Sequence, residues 1–363
     1  MATVLAPLLL LAAGARAEHG NRSAPWRRCH VEAYGAVAGD GRDDSLAIAA
    51  ALRDCGGDAG GEIVLRGPGV YDAQPMNLTS NQVLHVASGA VLQAPTPAHG
   101  SCMNATAPCP YRVVDSFPSY TGSRDYGTSC RFGPFIGAYK AHNISIMGGG
   151  VIDGAGQFFW SQARSMTIER PRLVELQFVE DLNIGPINLR HAPFWNLHPI
   201  YSKRLHIHDI SITADSSGHS SPNTDGIDPD SCKDVLIENY YYNAGDDAIA
   251  VKSGWNYAGY HMNMSSENIY ARNCSSNGRG GYTIGSEMSG GVRNVSFVDS
   301  TSTGESGIRI NSQPGRGGYV TDVTVRNVRF DWKSAGGKAF LFHVNQEREC
   351  KAGCAGGPKC GFR

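Results

Sequence analysis

From about residue 140 onward, apolar and polar positions alternate in short bursts broken by Asn, Asp or Gly. The stretches HNISIMGGGVIDGAG, SKRLHIHDISITA, CKDVLIENYYYNAGDDAIAVKSG, SENIYARNCSSNGRGGYTIGS, VRNVSFVDSTSTGESGIRINS and VTDVTVRNVRFDW share one phrase. Each opens with a short alternating strand, turns through polar residues, and often adds a second short strand. Equivalent positions lie 33 residues apart from Leu236 to Ile269, 26 from Ile269 to Val295 and 28 from Val295 to Val323. Alternation marks strands with one buried face. Imperfect periods of this length, without helices between the strands, mark coils that stack on one another. The pattern predicts an all-β chain wound as a right-handed parallel β-helix. A β-sandwich would need antiparallel hairpins with two-residue turns, and these are scarce.

One segment follows the helical period instead. GRDDSLAIAAALRDC offers Asp43 or Asp44 as N-cap and places Leu46, Ile48, Ala49 and Leu52 at helical spacing. A helix at the end of a solenoid covers its open apolar end, so this one is expected to be a cap. The expected organisation is a signal peptide over 1–17, a β-helix domain over 18–333 and a Cys/Gly-rich tail over 334–363.

Composition adds a compartment. The apolar run Val4–Ala13, followed by Ala15-x-Ala17, suits an export signal and is too short to span a bilayer. The ten cysteines and the sequons at Asn21, Asn77, Asn104, Asn143, Asn263, Asn273 and Asn294 agree with a secreted, partly disulfide-bonded glycoprotein. Cys232 reads as a buried thiol, and Cys350, Cys354 and Cys360 read as disulfide partners rather than zinc ligands. A net charge of -1 over 363 residues gives no pull toward nucleic acid or membrane. A monomer is expected.

Candidate chemistry gathers in two stretches. NAGDDAIAVKSG sets Asp246 and Asp247 side by side before the apolar run Ala248–Val251, and SPNTDGIDPD places Asp225 21 residues earlier, close to one uninterrupted coil. Stacked coils sit about 4.8 Å apart, so the three carboxylates are expected to share one groove. Neighbouring carboxylates raise one another's pKa, and a held proton is useful in catalysis. Inverting glycoside hydrolysis needs one carboxylic acid and a water-activating carboxylate roughly 6.5 to 9.5 Å away. Asp228 and Asp230 read as turn residues around Pro229 rather than calcium ligands. His206 and His208 read as outward polar residues, and the aromatics as internal stacks, with Trp195, Trp255 and Tyr257 placed to pack on sugar rings.

These stretches carry a resemblance. NTDGIDPDS, AGDDAIAVKSGW, IGSEMSGGV, GIRI and GRGGYV, with HAPFWNLHP upstream and VEAYGAVAGDGRDDSLAIAAAL at the start, are similar to glycoside hydrolase family 28, the polygalacturonases, and to its plant-type, exo-acting-like branch. The resemblance runs from about Val31 to Trp332 in the family's order. It implies a general acid at Asp246 and water-holding carboxylates at Asp225 and Asp247, with no metal or organic cofactor. Both acids reach the groove only if the chain bends there, which Gly245 would permit. Many members carry Gly-His-Gly where Arg279 stands here, and Arg-Ile-Lys where this chain has Arg309-Ile310-Asn311. Arg309 can fork onto a uronate carboxylate, Asn311 can still hydrogen-bond, and Arg279 is the candidate for the missing cation.

The expected activity is hydrolysis of α-1,4-galacturonosyl bonds of pectin with inversion, outside the cell or in the cell wall. Two rivals remain: a calcium-dependent pectate lyase with an arginine base, and an inactive or retargeted relative that binds another acidic or rhamnose-containing polysaccharide.

Overall fold

The computed structural model describes residues 26–121, 130–215, 220–332 and 337–344. The leader, the Asn21 sequon and the three C-terminal cysteines lie outside these residues. Strands stack in parallel register along the whole described chain, with one antiparallel exception, Val113–Asp115 against Cys130–Phe132. The architecture is a right-handed parallel β-helix.

Its longest wall is built of five eleven-residue strands, Lys203–Thr213, Lys233–Asn243, Ser266–Ser276, Val292–Ser302 and Val320–Phe330. Each is two alternating bursts joined by a residue at positive φ: Asp209, Asn239, Asn273, Asp299 and Asn327. Asn and Asp tolerate that conformation better than other non-glycine residues. There the alternation slips by one, so that in the first strand Leu205 and Ile207, then Ile210 and Ile212, all point inward. The same side chains tie the coils together. Asn239 Nδ2 donates to Asp209 Oδ1 at 2.9 Å, Asn273 to Asn239 at 2.7 Å, and Asn327 to Asp299 at 2.9 Å. Val235, not Leu236, stands opposite Ile269, so that coil is one residue longer than the sequence phrase suggests.

A second wall carries the site. Leu197–Ile200 ends one four-stranded sheet, Ile249–Val251 begins another that continues through Tyr282–Ile284 and Ser306–Asn311 to Lys338–His343, and residues 227–230 bridge the two. The stack therefore runs past residue 333. Alternation along these strands sends Ile227, Ile249, Tyr282 and Ile308 into the core and leaves Arg309 and Asn311 on the outer face.

The helix forms at Ser45–Asp54, and the disulfide Cys29–Cys55 fastens its end to the strand Arg27–His30. Ala47, Ile48 and Ala51 are buried, whereas Leu46, expected on the buried face, is 88 % exposed. Asp44 is the N-cap by position, but its carboxylate accepts from Val37 N, and Asp43 takes the Ser45 amide. A second disulfide joins Cys102 and Cys109, while Cys232 is a buried thiol, as expected. No helix among the described residues is long and apolar enough to cross a membrane.

Candidate active site

Asp225 precedes the bridging segment 227–230, and Asp246 and Asp247 occupy the irregular bend just before Ile249–Val251. Because they lie in a bend and not in a strand, adjacent side chains are free of strict alternation. Gly226 N donates to Asp247 O at 2.9 Å, which brings the coil of Asp225 onto the coil of Asp247. One oxygen from each of the three carboxyl groups lies within 4.8 Å of the others.

Two glycines make room for this approach. A Cβ at Gly245 would collide with the Ser221 carbonyl oxygen, and one at Gly280 would collide with Asp247 Oδ1. Gly245 is thus required by close packing and not by a left-handed φ. The bend is held further by the Asp246 amide, which donates to Tyr242 Oη at 2.9 Å, and by the Gly245 amide, which donates to Thr224 Oγ1 at 2.8 Å.

Cations divide the three acids. Lys252 Nζ lies 3.6 Å from Asp225 and 3.1 Å from Glu287, and the Arg309 guanidinium donates to Asp247. Asp246 alone has no cation within ion-pair distance among the described residues. Burial, and then the neighbouring Asp247 charge, push the Asp246 carboxyl up to about 6, against the more distant pull of Arg309, Lys252 and Arg279. Burial, Asp246 and Asp228 raise Asp225 as well, with Lys252 opposing them. A group near 6 holds its proton in mildly acidic solution and can give it up there.

Lys252 itself is buried on the outer face, its ammonium 4.3 Å from the Trp195 ring centroid. Burial works against its charge, but Glu287, Asp228 and Asp225 outweigh burial and raise its pKa. Trp195 stacks on Phe194, and Trp255 lies under the Arg316 guanidinium at 3.5 Å. With Phe117, Tyr120 and Tyr201 they form an apolar cluster outside the solenoid. The two buried tryptophans are therefore walls of the groove rather than open sugar platforms, and only Tyr257 of the three expected aromatics is exposed.

Several expectations need correction. Asp228 and Asp230, expected as turn residues around Pro229, are both fully buried in the bridge between the two sheets. Asp230 accepts from Tyr120 Oη and lies 3.3 Å from His198 Nε2, while Asp228 has no hydrogen-bond partner among the described residues. Arg279 does not stand free in the groove. Its side chain is 64 % exposed and pairs with Glu305 at 3.3 Å, and among the charges acting on Asp246 it comes last. Asn311 is buried with Oδ1 unpartnered. The carboxyl groups also stand closer than the spacing usual for inverting hydrolases. His206 and His208, by contrast, are outward polar residues as expected, paired with Glu238 and Asp209.

The family model for glycosyl hydrolases family 28 matches residues 106–336. The chain belongs to glycosyl hydrolase family 28. Over 222 residues it is 39% identical to a protein described as "Probable polygalacturonase" from Vitis vinifera, covering 60% of this chain and 44% of that protein. It is 29% identical over 299 residues to an endo-polygalacturonase of Pectobacterium carotovorum subsp. carotovorum, covering 77% of this chain and 67% of that one. The fold is similar to that of an exopolygalacturonase from Thermotoga maritima, with a TM-score of 0.69, 24% identity, and coverage of 87% of this chain and 78% of that chain. This family 28 chain thus spans less than half the length of its Vitis vinifera relative.

The raised acids give the family 28 site a pH signature. A carboxyl raised in the folded state contributes stability that is complete below its unfolded pKa and is lost as pH rises through its folded value. For Asp230 and Asp246 that window runs from 3.8 to about 6. For the fully buried Asp230 such a rise corresponds to on the order of 3 kcal/mol. Glu287, which Lys252 and Arg316 lower against the effect of burial, works the other way at more acidic pH. Thermal unfolding is expected to show a higher midpoint at about pH 5 than at about pH 7. A midpoint that climbs steadily through neutrality would contradict this.

Proposed function

We propose that the protein is a pectin-degrading glycoside hydrolase of the polygalacturonase type, cleaving α-1,4-galacturonosyl bonds. The observation that carries the reading is the pairing of the three acids: Asp246 alone has no ion-pair partner among the described residues and is raised to about 6, whereas Asp225 lies 3.6 Å from Lys252 and Asp247 accepts from Arg309. Asp246 transfers its proton to the glycosidic oxygen as the bond from that oxygen to the anomeric carbon breaks. A water oriented by Asp225 and Asp247 attacks the anomeric carbon from the other face and passes its proton to them.

The short spacing alone would also suit a retaining mechanism, in which one carboxylate attacks the sugar. Pairing favours inversion. Asp225 and Asp247 each share their charge with a cation, which weakens them as nucleophiles while leaving them able to accept a water proton. The export signal read over 1–17 and the sequons support a secreted protein acting on cell-wall pectin.

The same three carboxylates could hold calcium, as a lyase requires. Lys252 and Arg309 already compensate two of them, so a divalent ion would have to enter against two fixed positive charges. Product analysis on pectic polysaccharide with and without chelator tests the reading. Saturated reducing ends are expected at a rate the chelator leaves unchanged. Unsaturated, ultraviolet-absorbing ends that disappear with chelator and return with calcium would replace it with the lyase.

A further inference from the structure

Three buried polar atoms on the outer face of the second wall have no hydrogen-bond partner among the described residues: Thr283 Oγ1, Arg309 Nε and Asn311 Oδ1. Thr283 stands opposite Arg309 in the register of Tyr282–Ile284 against Ser306–Asn311, and Asn311 lies two residues beyond Arg309 on the same face. Thr283 is fully buried and Asn311 is 4 % exposed. Buried polar groups are almost always satisfied, so such a patch beside a reaction centre is a place where a ligand completes the hydrogen bonds.

The charges around the patch decide what kind of ligand. Each cation that reaches the three aspartates is already matched: Lys252 by Asp225 and Glu287, Arg309 by Asp247, and Arg279 by Glu305. Arg316 is engaged with Ser286 and Asn256 and stacked on Trp255. A free uronate bound here would be one more carboxylate next to Asp246 and Asp247, and it would have to share with Asp247 the single positive charge of Arg309. An uncharged ring asks for no counter-charge. Its hydroxyls or ester oxygens can take up a guanidinium donor, an amide acceptor and a hydroxyl that serves as either, the three groups left open.

We propose that the subsite formed by Thr283, Arg309 and Asn311 takes an uncharged sugar unit, a methyl-esterified galacturonate or a neutral hexose, rather than a free uronate. Asn311 is the residue that sets this preference. The proposal rests on the hydrolase reading above and refines its substrate.

The test measures kcat/KM of the full chain on polygalacturonate, on the same polymer fully methyl-esterified, and on the polymer with its carboxyl groups reduced to alcohols. An uncharged polymer is expected to be cleaved at least tenfold more efficiently than polygalacturonate. The faster of the two uncharged polymers names the source, ester or neutral hexose. Asn311→Lys is expected to reverse the order by restoring a cation. Preference of the unaltered protein for polygalacturonate, or an unchanged ratio in a folded Asn311→Lys protein, would overturn the proposal. If no polymer yields reducing ends, the hydrolase reading fails. The subsite is then judged by calorimetric binding of esterified against free oligogalacturonate to the same protein, tighter binding of the free acid overturning it.

Discussion

Asp246→Asn is expected to lower turnover on pectic polysaccharide by at least about a hundredfold, the smaller end of what general acid catalysis supplies, while the protein stays folded. An amide cannot deliver a proton to the departing oxygen. The side chain makes no ion pair among the described residues, and the bend is held through the backbone amides of Gly245 and Asp246, which the substitution leaves in place. Removing a carboxyl that sits against Asp247 also relieves repulsion, so the thermal midpoint should hold or rise. Asp225→Asn and Asp247→Asn should also cut turnover severely, with oligosaccharide binding near that of the unaltered protein. An Asp246→Asn protein that keeps more than about a hundredth of normal turnover would move the acid's role to another group.

Lys252→Met is expected to destabilise the fold by about 3 to 5 kcal/mol, the loss typical when one member of a buried ion pair is removed. Lys252 is the shared counter-charge of Asp225 and Glu287, and Asp228 leans on it electrostatically. Methionine replaces the stem beneath Trp195 but not the ammonium over its ring. The abandoned carboxyls can escape only by taking up protons, so the loss should be larger at about pH 7 than at about pH 4.5. Denaturant midpoints of the two proteins at both pH values measure it. A loss equal at both would show that Lys252 contributes through packing and not through charge.

The two substitutions separate what was legible in the sequence from what was not. The stacking of coils could be read from local alternation, because a parallel register carries each phrase onto the next. The meeting of Asp225 with Asp246 and Asp247 followed from coil length alone. Lys252 carries no signal in the sequence, because a lysine ending a short strand has the pattern of a solvated terminus. What buries it is an apolar cluster drawn from far along the chain. Tyr120 reaches Asp230 across 110 residues and Ser119 reaches Tyr201 across 82, contacts that no local period records. The same cover explains Asp228 and Asp230, whose proline-centred setting is that of a turn until the wall closes over it.

Leu46 and Arg279 failed in the opposite direction. Both patterns were right in period, but the partner surface was missing: Leu46 is left exposed, and the exposed Arg279 pairs with the exposed Glu305. Periodicity says which residues share a face, and only the packed neighbours say whether that face is covered.

The most direct measurement of the central claim, one acid and two paired carboxylates holding water, is the configuration of the sugar first released. Proton NMR of a pectic oligosaccharide digest, recorded before mutarotation equilibrates the anomers, is predicted to show the β-anomer arising from the α-linkage. An initial α-anomer would mean that one of the paired carboxylates attacks the sugar directly, and would contradict the account.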